Sequence, residues 1–166
     1  MPVIKSISAF VCLGALFGLA GCGPNYVKPK DRAAVKATAD VRAAVAEIVA
    51  GYAARDVAPV VSVNALDHMA MFHGMANTVG PDAELAAVKG QLADPAVKQG
   101  GSDEAIEVSR SGDLAVYRAT YHFTYTNPET GKPANENGNG VAVSKRQPGG
   151  TMKMISEVVS DTPPAA

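Results

Sequence analysis

Few side chains in this sequence could carry chemistry. Three histidines, His68, His73 and His122, and two cysteines, Cys12 and Cys22, are spread over 166 residues. His68 and His73 lie five apart, so one strand through both would put them on opposite faces. With no His-x-His or His-x-x-x-His pair and no clustered cysteines, the sequence supports no metal site, and no cofactor is expected. Ser109 and Ser111 lack a Gly-x-Ser-x-Gly context, which argues against serine hydrolysis. Gly100-Gly101 and Gly138-Asn139-Gly140 do not lead from a strand into a helix, as a phosphate loop must. Two carboxylates and three tyrosines remain. Glu157, midway along the last apolar stretch, could be a pocket acid with a raised pKa. The simpler account is an exposed strand carboxylate facing Arg118 or Lys153. Asp56 follows the first helix, where capping a helix end or turn is the plain explanation. Tyr52, Tyr117 and Tyr121 sit on apolar stripes suited to packing, each with one hydroxyl to place.

Composition narrows the classes further. The chain is 47% hydrophobic and 5% aromatic, with a formal net charge of −1 and a pI near 6.3. That balance gives no electrostatic case for nucleic acid or for an anionic membrane surface. The length allows one domain with a true core and is too short for two.

The N-terminus reads as an address. After Lys5, residues 6–20 are uncharged, a run of about 15 residues that is short of the ~20 needed to span a bilayer. It closes on Leu19-Ala20-Gly21-Cys22, which resembles the bacterial lipobox. The resemblance implies a signal peptide over residues 1–21 and a diacylated Cys22 that holds the protein to the membrane through its acyl chains. Because Gly23 rather than aspartate follows the cysteine, it also implies the outer membrane, facing the periplasm. Residues 22–30, with Pro24 and Pro29, read as the lipidated cysteine and a short tether.

The elements that must position the candidates follow from periodicity. From Asp31, a plausible N-cap, Val41, Val45, Ile48, Val49 and Tyr52 form one helical stripe among alanines. Pro59 suits the first turn of a second, short helix within residues 57–64. His68 to Phe72 reads as a strand, and Pro81 opens another helix carrying Leu85, Val88 and Leu92. Residues 94–102 read as a loop. The period then becomes two: Ala115, Tyr117, Ala119, Tyr121, Phe123 and Tyr125 share one face, and Val116, Arg118, Thr120 and His122 the other. A polar connection over residues 127–140, a strand over 141–146, a tight turn at Gln147-Pro148-Gly149-Gly150 and a last strand over 152–160 complete the pattern. Helices first and hairpin-linked strands afterwards give an α+β class.

This order resembles the nuclear-transport-factor-2-like superfamily, and within it the SnoaL-like, ketosteroid-isomerase-homologue group. The carrying residues are Ala54-Arg55-Asp56, the run Ser111 to Tyr117, Thr130-Gly131-Lys132-Pro133, the run Val143 to Ile155, and Ser160-Asp161-Thr162-Pro163. Met152 stands where that group usually has tryptophan. The resemblance covers about Val41 to Pro163, within a domain read as residues 31–163. It implies a curved antiparallel sheet wrapped on helices as a cone around an apolar cavity, lined by Tyr52, Phe72, Ala115, Tyr117, Ala119 and Tyr121. It also supplies the enzymatic alternative: a metal-free isomerase, dehydratase or cyclase with Glu157 or Asp56 as proton carrier and Tyr117 or Tyr121 as oxyanion donor.

No acid–base constellation stands out from the sequence. The favoured expectation is therefore a non-catalytic, lipid-anchored envelope domain that binds a small apolar ligand and no nucleic acid. A third alternative is a homodimer or protein-interaction module using the outer sheet face around Val116, Arg118 and His122.

Overall fold

The computed structural model describes residues 29–162, with side chains from residue 32 onward; the lipobox, Cys12, Cys22 and residues 163–166 lie outside the described residues. Helix α1 (Pro29–Ala54) opens on a proline, whose missing N–H costs nothing in a first turn. It starts two residues before the expected cap, inside the stretch read as tether. The apolar stripe of α1 turns inward, with Ala37 and Val41 buried. The helix stops because Arg55 adopts the left-handed region at φ 56°. The Asp56 N–H then reaches the Gly51 carbonyl (2.9 Å) and the Arg55 N–H the Tyr52 carbonyl (3.3 Å), which satisfies two carbonyls of the last turn of α1.

Helix α2 (Val57–Ser62) follows at once, capped by Asp56, whose carboxylate accepts from the Ala58 N–H at 3.0 Å. The Arg55 guanidinium donates to the carbonyls of Leu92, Asp94 and Pro95, pinning the end of α1 to the end of helix α3 (Gly80–Ala93). The Ala54-Arg55-Asp56 motif is thus a corner joining three helices.

One mixed sheet runs in the order β2-β1-β6-β5-β4-β3. Its strands are β1 (Asn64–Phe72), β2 (Thr78–Val79), β3 (Lys98–Val108), β4 (Leu114–Thr126), β5 (Pro133–Arg146) and β6 (Met152–Asp161). Every neighbouring pair is antiparallel except β1–β6, which is parallel. Two segments expected as loop are strand. Gly100 and Gly101 pair with His122 and Tyr121, and residues 133–140 extend β5 along the whole of β4. Arg146 locks one end of the sheet to α1: it donates to the Gly112 carbonyl in the β3–β4 turn and to the Gly150 carbonyl in the β5–β6 turn, and pairs with Asp40 at 3.4 Å. The motif residues around Gly112 and Arg146 therefore serve this lock. Helices α1 and α3 cover the concave face, and at the far end of the sheet the two layers stand apart.

Candidate functional site

The gap between the layers is a cavity of about 640 Å³, within the roughly 300–1,000 Å³ typical of small-molecule sites. Its wall includes Ile48 and Tyr52 of α1, Val88 and Gln91 of α3, and Phe72, Tyr121, Phe123 and Tyr125 of the strands. A smaller hollow of about 110 Å³ continues beneath α1, lined by Tyr117, Ala119 and Tyr121 among others. Of the residues expected to line a cavity, Tyr52, Phe72 and Tyr121 border the large one, and Tyr117, Ala119 and Tyr121 the small one. Ala115 is 1% exposed and packed in the core. The alternation along β4 sends residues 117, 119, 121, 123 and 125 inward.

Glu157 lines the large cavity and is not an exposed strand carboxylate facing Arg118 or Lys153. A bulge in β6 brings it there. Ser144 pairs with Met154 but Val143 with Ser156, so Ile155 is an extra residue and the inward face moves from Met154 to Glu157. Only 21% of the Glu157 side chain is exposed. Burial, with the nearby Glu84 carboxylate as a smaller contribution, pushes its pKa up from 4.5 to about 7. Burial likewise raises the pKa of Glu84, which is 6% exposed.

Between these two acids sits His68, 1% exposed, with Nδ1 at 3.9 Å from Glu84 Oε2 and Nε2 at 3.9 Å from Glu157 Oε1. Both distances exceed hydrogen-bond length. Burial lowers the imidazole pKa against an opposing pull from Asp67, so His68 is neutral near pH 7. Spacing carries no sign of this arrangement, because the carboxylate neighbours of His68 come from α3 and β6, far away in sequence. Its place in an apolar strand was the only available signal. Tyr52 donates its hydroxyl to Gln91 Oε1, and burial holds its pKa above the usual value.

The other polar end of the cavity is formed by Tyr121, Glu136 and His73. Both Tyr121 Oη and His73 Nε2 meet Glu136 Oε1, the latter at 2.9 Å. The hydrogen bond raises the His73 pKa; Glu136 is held low because its bonds from Tyr121 and His73 outweigh its own burial. Tyr117 is pushed up to about 12, first by burial and then by Glu104.

The remaining candidates lie elsewhere. Asp56 is exposed and occupied in capping α2. On the outer face, Arg118 pairs with Glu107 at 2.5 Å, and His122 bonds to Ser102 and Asn137. Among the described residues no group of His, Cys, Asp and Glu is arranged to hold a metal ion. No helix of the described residues is long and apolar enough to cross a membrane.

No protein-family model matches the chain, and no characterised protein matches it in sequence. Solved structures do match in fold. One is an NTF2-like protein with a cystatin-like fold from Novosphingobium aromaticivorans, 15% identical, covering 80% of this chain and 86% of that one at a TM-score of 0.65. Another is the hexachlorocyclohexane dehydrochlorinase LinA-type3 from Novosphingobium barchaimii, 14% identical, covering 80% and 91% at 0.70. A third is a ketosteroid isomerase-like protein from Erwinia carotovora, 22% identical, covering 76% and 96% at 0.59. With its helices laid across one face of a curved, unclosed sheet, the chain has the nuclear-transport-factor-2-like, cystatin-like fold.

Proposed function

We propose that this chain is a lipid-anchored envelope protein whose cavity binds a small, mostly apolar molecule. One observation carries the ligand half: a hollow of about 640 Å³, walled by aromatic and aliphatic side chains, persists where a protein interior would otherwise close-pack. The anchor half rests on Leu19-Ala20-Gly21-Cys22 at the end of an uncharged run. Two or more acyl chains would make attachment stable, at ~0.8 kcal/mol per buried methylene. Cys22→Ser is expected to abolish acylation and leave unprocessed precursor, seen by mass spectrometry and membrane fractionation. Normal cleavage and membrane retention of the variant would refute the anchor.

Glu157 favours a second reading, a proton-transfer enzyme. A carboxyl group that titrates near neutrality and borders an apolar cavity can both take and return a proton at physiological pH. Some proteins of this fold are enzymes, among them the dehydrochlorinase above. Glu157 replaces Asp56 as the sole carboxylate candidate of the two, since Asp56 does not border the cavity.

A further inference from the structure

The polar atoms that the cavity wall leaves without partners share one chemistry. Asn64 Oδ1, Glu84 Oε2 and Gln99 Oε1 are buried, make no hydrogen bond, and belong to residues lining the 640 Å³ cavity. All three are acceptors, so their missing partner is a donor; the two ring nitrogens of His68 are likewise buried without a hydrogen bond. Charge points the same way. Among the described residues, the wall holds three carboxylates, Glu84, Glu136 and Glu157, against one imidazole, His73, and no lysine or arginine. His73 is already taken by Glu136. Glu84 and Glu157 have the neutral His68 beside them, at 3.9 Å from each. Around them stand the rings of Tyr52, Phe72, Tyr121, Phe123 and Tyr125, faces that attract an organic cation as well as apolar matter.

We propose that the cavity is a site for a lipophilic amine, bound as the cation with its ammonium group set against Glu84 and Glu157 and its hydrocarbon body against the rings. The inference rests on the ligand-binding reading above and adds to it the chemical class. An ammonium brings three donors where an alcohol brings one, and it answers charge that an alcohol leaves unpaired. A carboxylate of the same shape would meet like charge at Glu84, Glu136 and Glu157.

Phenylbutylamine, phenylbutanol and phenylbutyrate present one apolar body with three head groups. Calorimetric titration of the full chain in nonionic detergent should show the amine binding at least tenfold more tightly than the alcohol, with the butyrate weakest. Glu157→Gln in the same detergent should cut the amine's advantage over the alcohol severalfold; comparing the two chains cancels partitioning into micelles. Glu157 is faced by Glu84 of α3, His68 of β1 and Tyr52 of α1, and it titrates near 7. The amine keeps its charge across the range, so its affinity should fall by up to about tenfold for each pH unit below that value as Glu157 takes up a proton. Equal or tighter binding of the alcohol or the butyrate would overturn the amine inference and leave the ligand-binding reading standing. Failure of all three probes, together with a broad panel of neutral lipophiles, would remove that reading and the inference with it.

Discussion

Glu157→Gln is expected to stabilise the protein above pH 7 by about 3 kcal/mol and to flatten its stability between pH 4.5 and 7. The wild-type carboxyl moves from about 4.5 in the unfolded chain to about 7 when folded. Within that window the unfolded state has lost the proton while the folded state keeps it. The wild type therefore loses stability as pH rises, by ~1.4 kcal/mol per unit, and the loss is complete above the folded value. Glutamine keeps the shape and removes the charge. Glu84, shifted in the same direction, leaves a weaker slope of the same sign in the variant. His68 acts oppositely: its pKa is lowered on folding, so stability is lost as pH falls below the ordinary imidazole value, where the unfolded chain takes up a proton that the buried ring does not. Denaturant unfolding at several pH values checks the prediction. Parallel pH profiles for the two chains would mean that Glu157 is solvated. The same substitution bears on the proton-transfer reading. A ketone that binds the wild type should exchange its α-hydrogens into deuterium oxide, and should not do so with the Glu157→Gln variant. If the wild type catalyses no exchange, the proton-transfer reading falls.

Gly138→Ala should destabilise the domain by about 3 kcal/mol or more. Gly138 sits where β5 passes between Tyr121 of β4 and the end of β6, pairing with Tyr121 and Asp161. A Cβ there would clash with the Ser160 carbonyl oxygen and with Tyr121 Cε1. Because one of those atoms is backbone, a side-chain rotation cannot relieve the clash, and β6 would have to shift and carry Glu157 with it. Gly100→Ala is the matched control, since a Cβ there meets nothing within 4 Å. It should be neutral or slightly stabilising, because alanine has less unfolded-state entropy to lose. Similar melting temperatures for the two variants would show that β5 and β6 do not approach as described.

The α+β order, the long alternating strand and the helix stripe were legible because period and length are local properties. Tyr117, Ala119 and Tyr121 share one face for that reason, and the cavity could be anticipated from them. Three things were hidden. The glycine and asparagine runs read as loops, yet β3 and β5 use them as strand: their backbones are satisfied by β4, and Asn135, Asn137 and Asn139 alternate outward in register with it. The period-two polar alternation was present but was masked by loop-like composition. The inward turn of Glu157 depends on a bulge at Ile155 that two-residue periodicity cannot foresee. His68, finally, gains its meaning from Glu84 and Glu157, which only the folded chain brings alongside.

Whether the cavity is a ligand site with an acid in its wall can be read by carbon-detected magnetic resonance of the full chain. Glutamate and aromatic side chains would be labelled and an apolar ligand series titrated in. Saturable shifts are expected at Tyr52, Phe72, Tyr121 and Glu157, with the Glu157 carboxyl titrating near 7 before ligand is added. Shifts confined to the outer sheet face would contradict the ligand site, and a Glu157 carboxyl that titrates near 4.5 and ignores every ligand would contradict the acid in its wall.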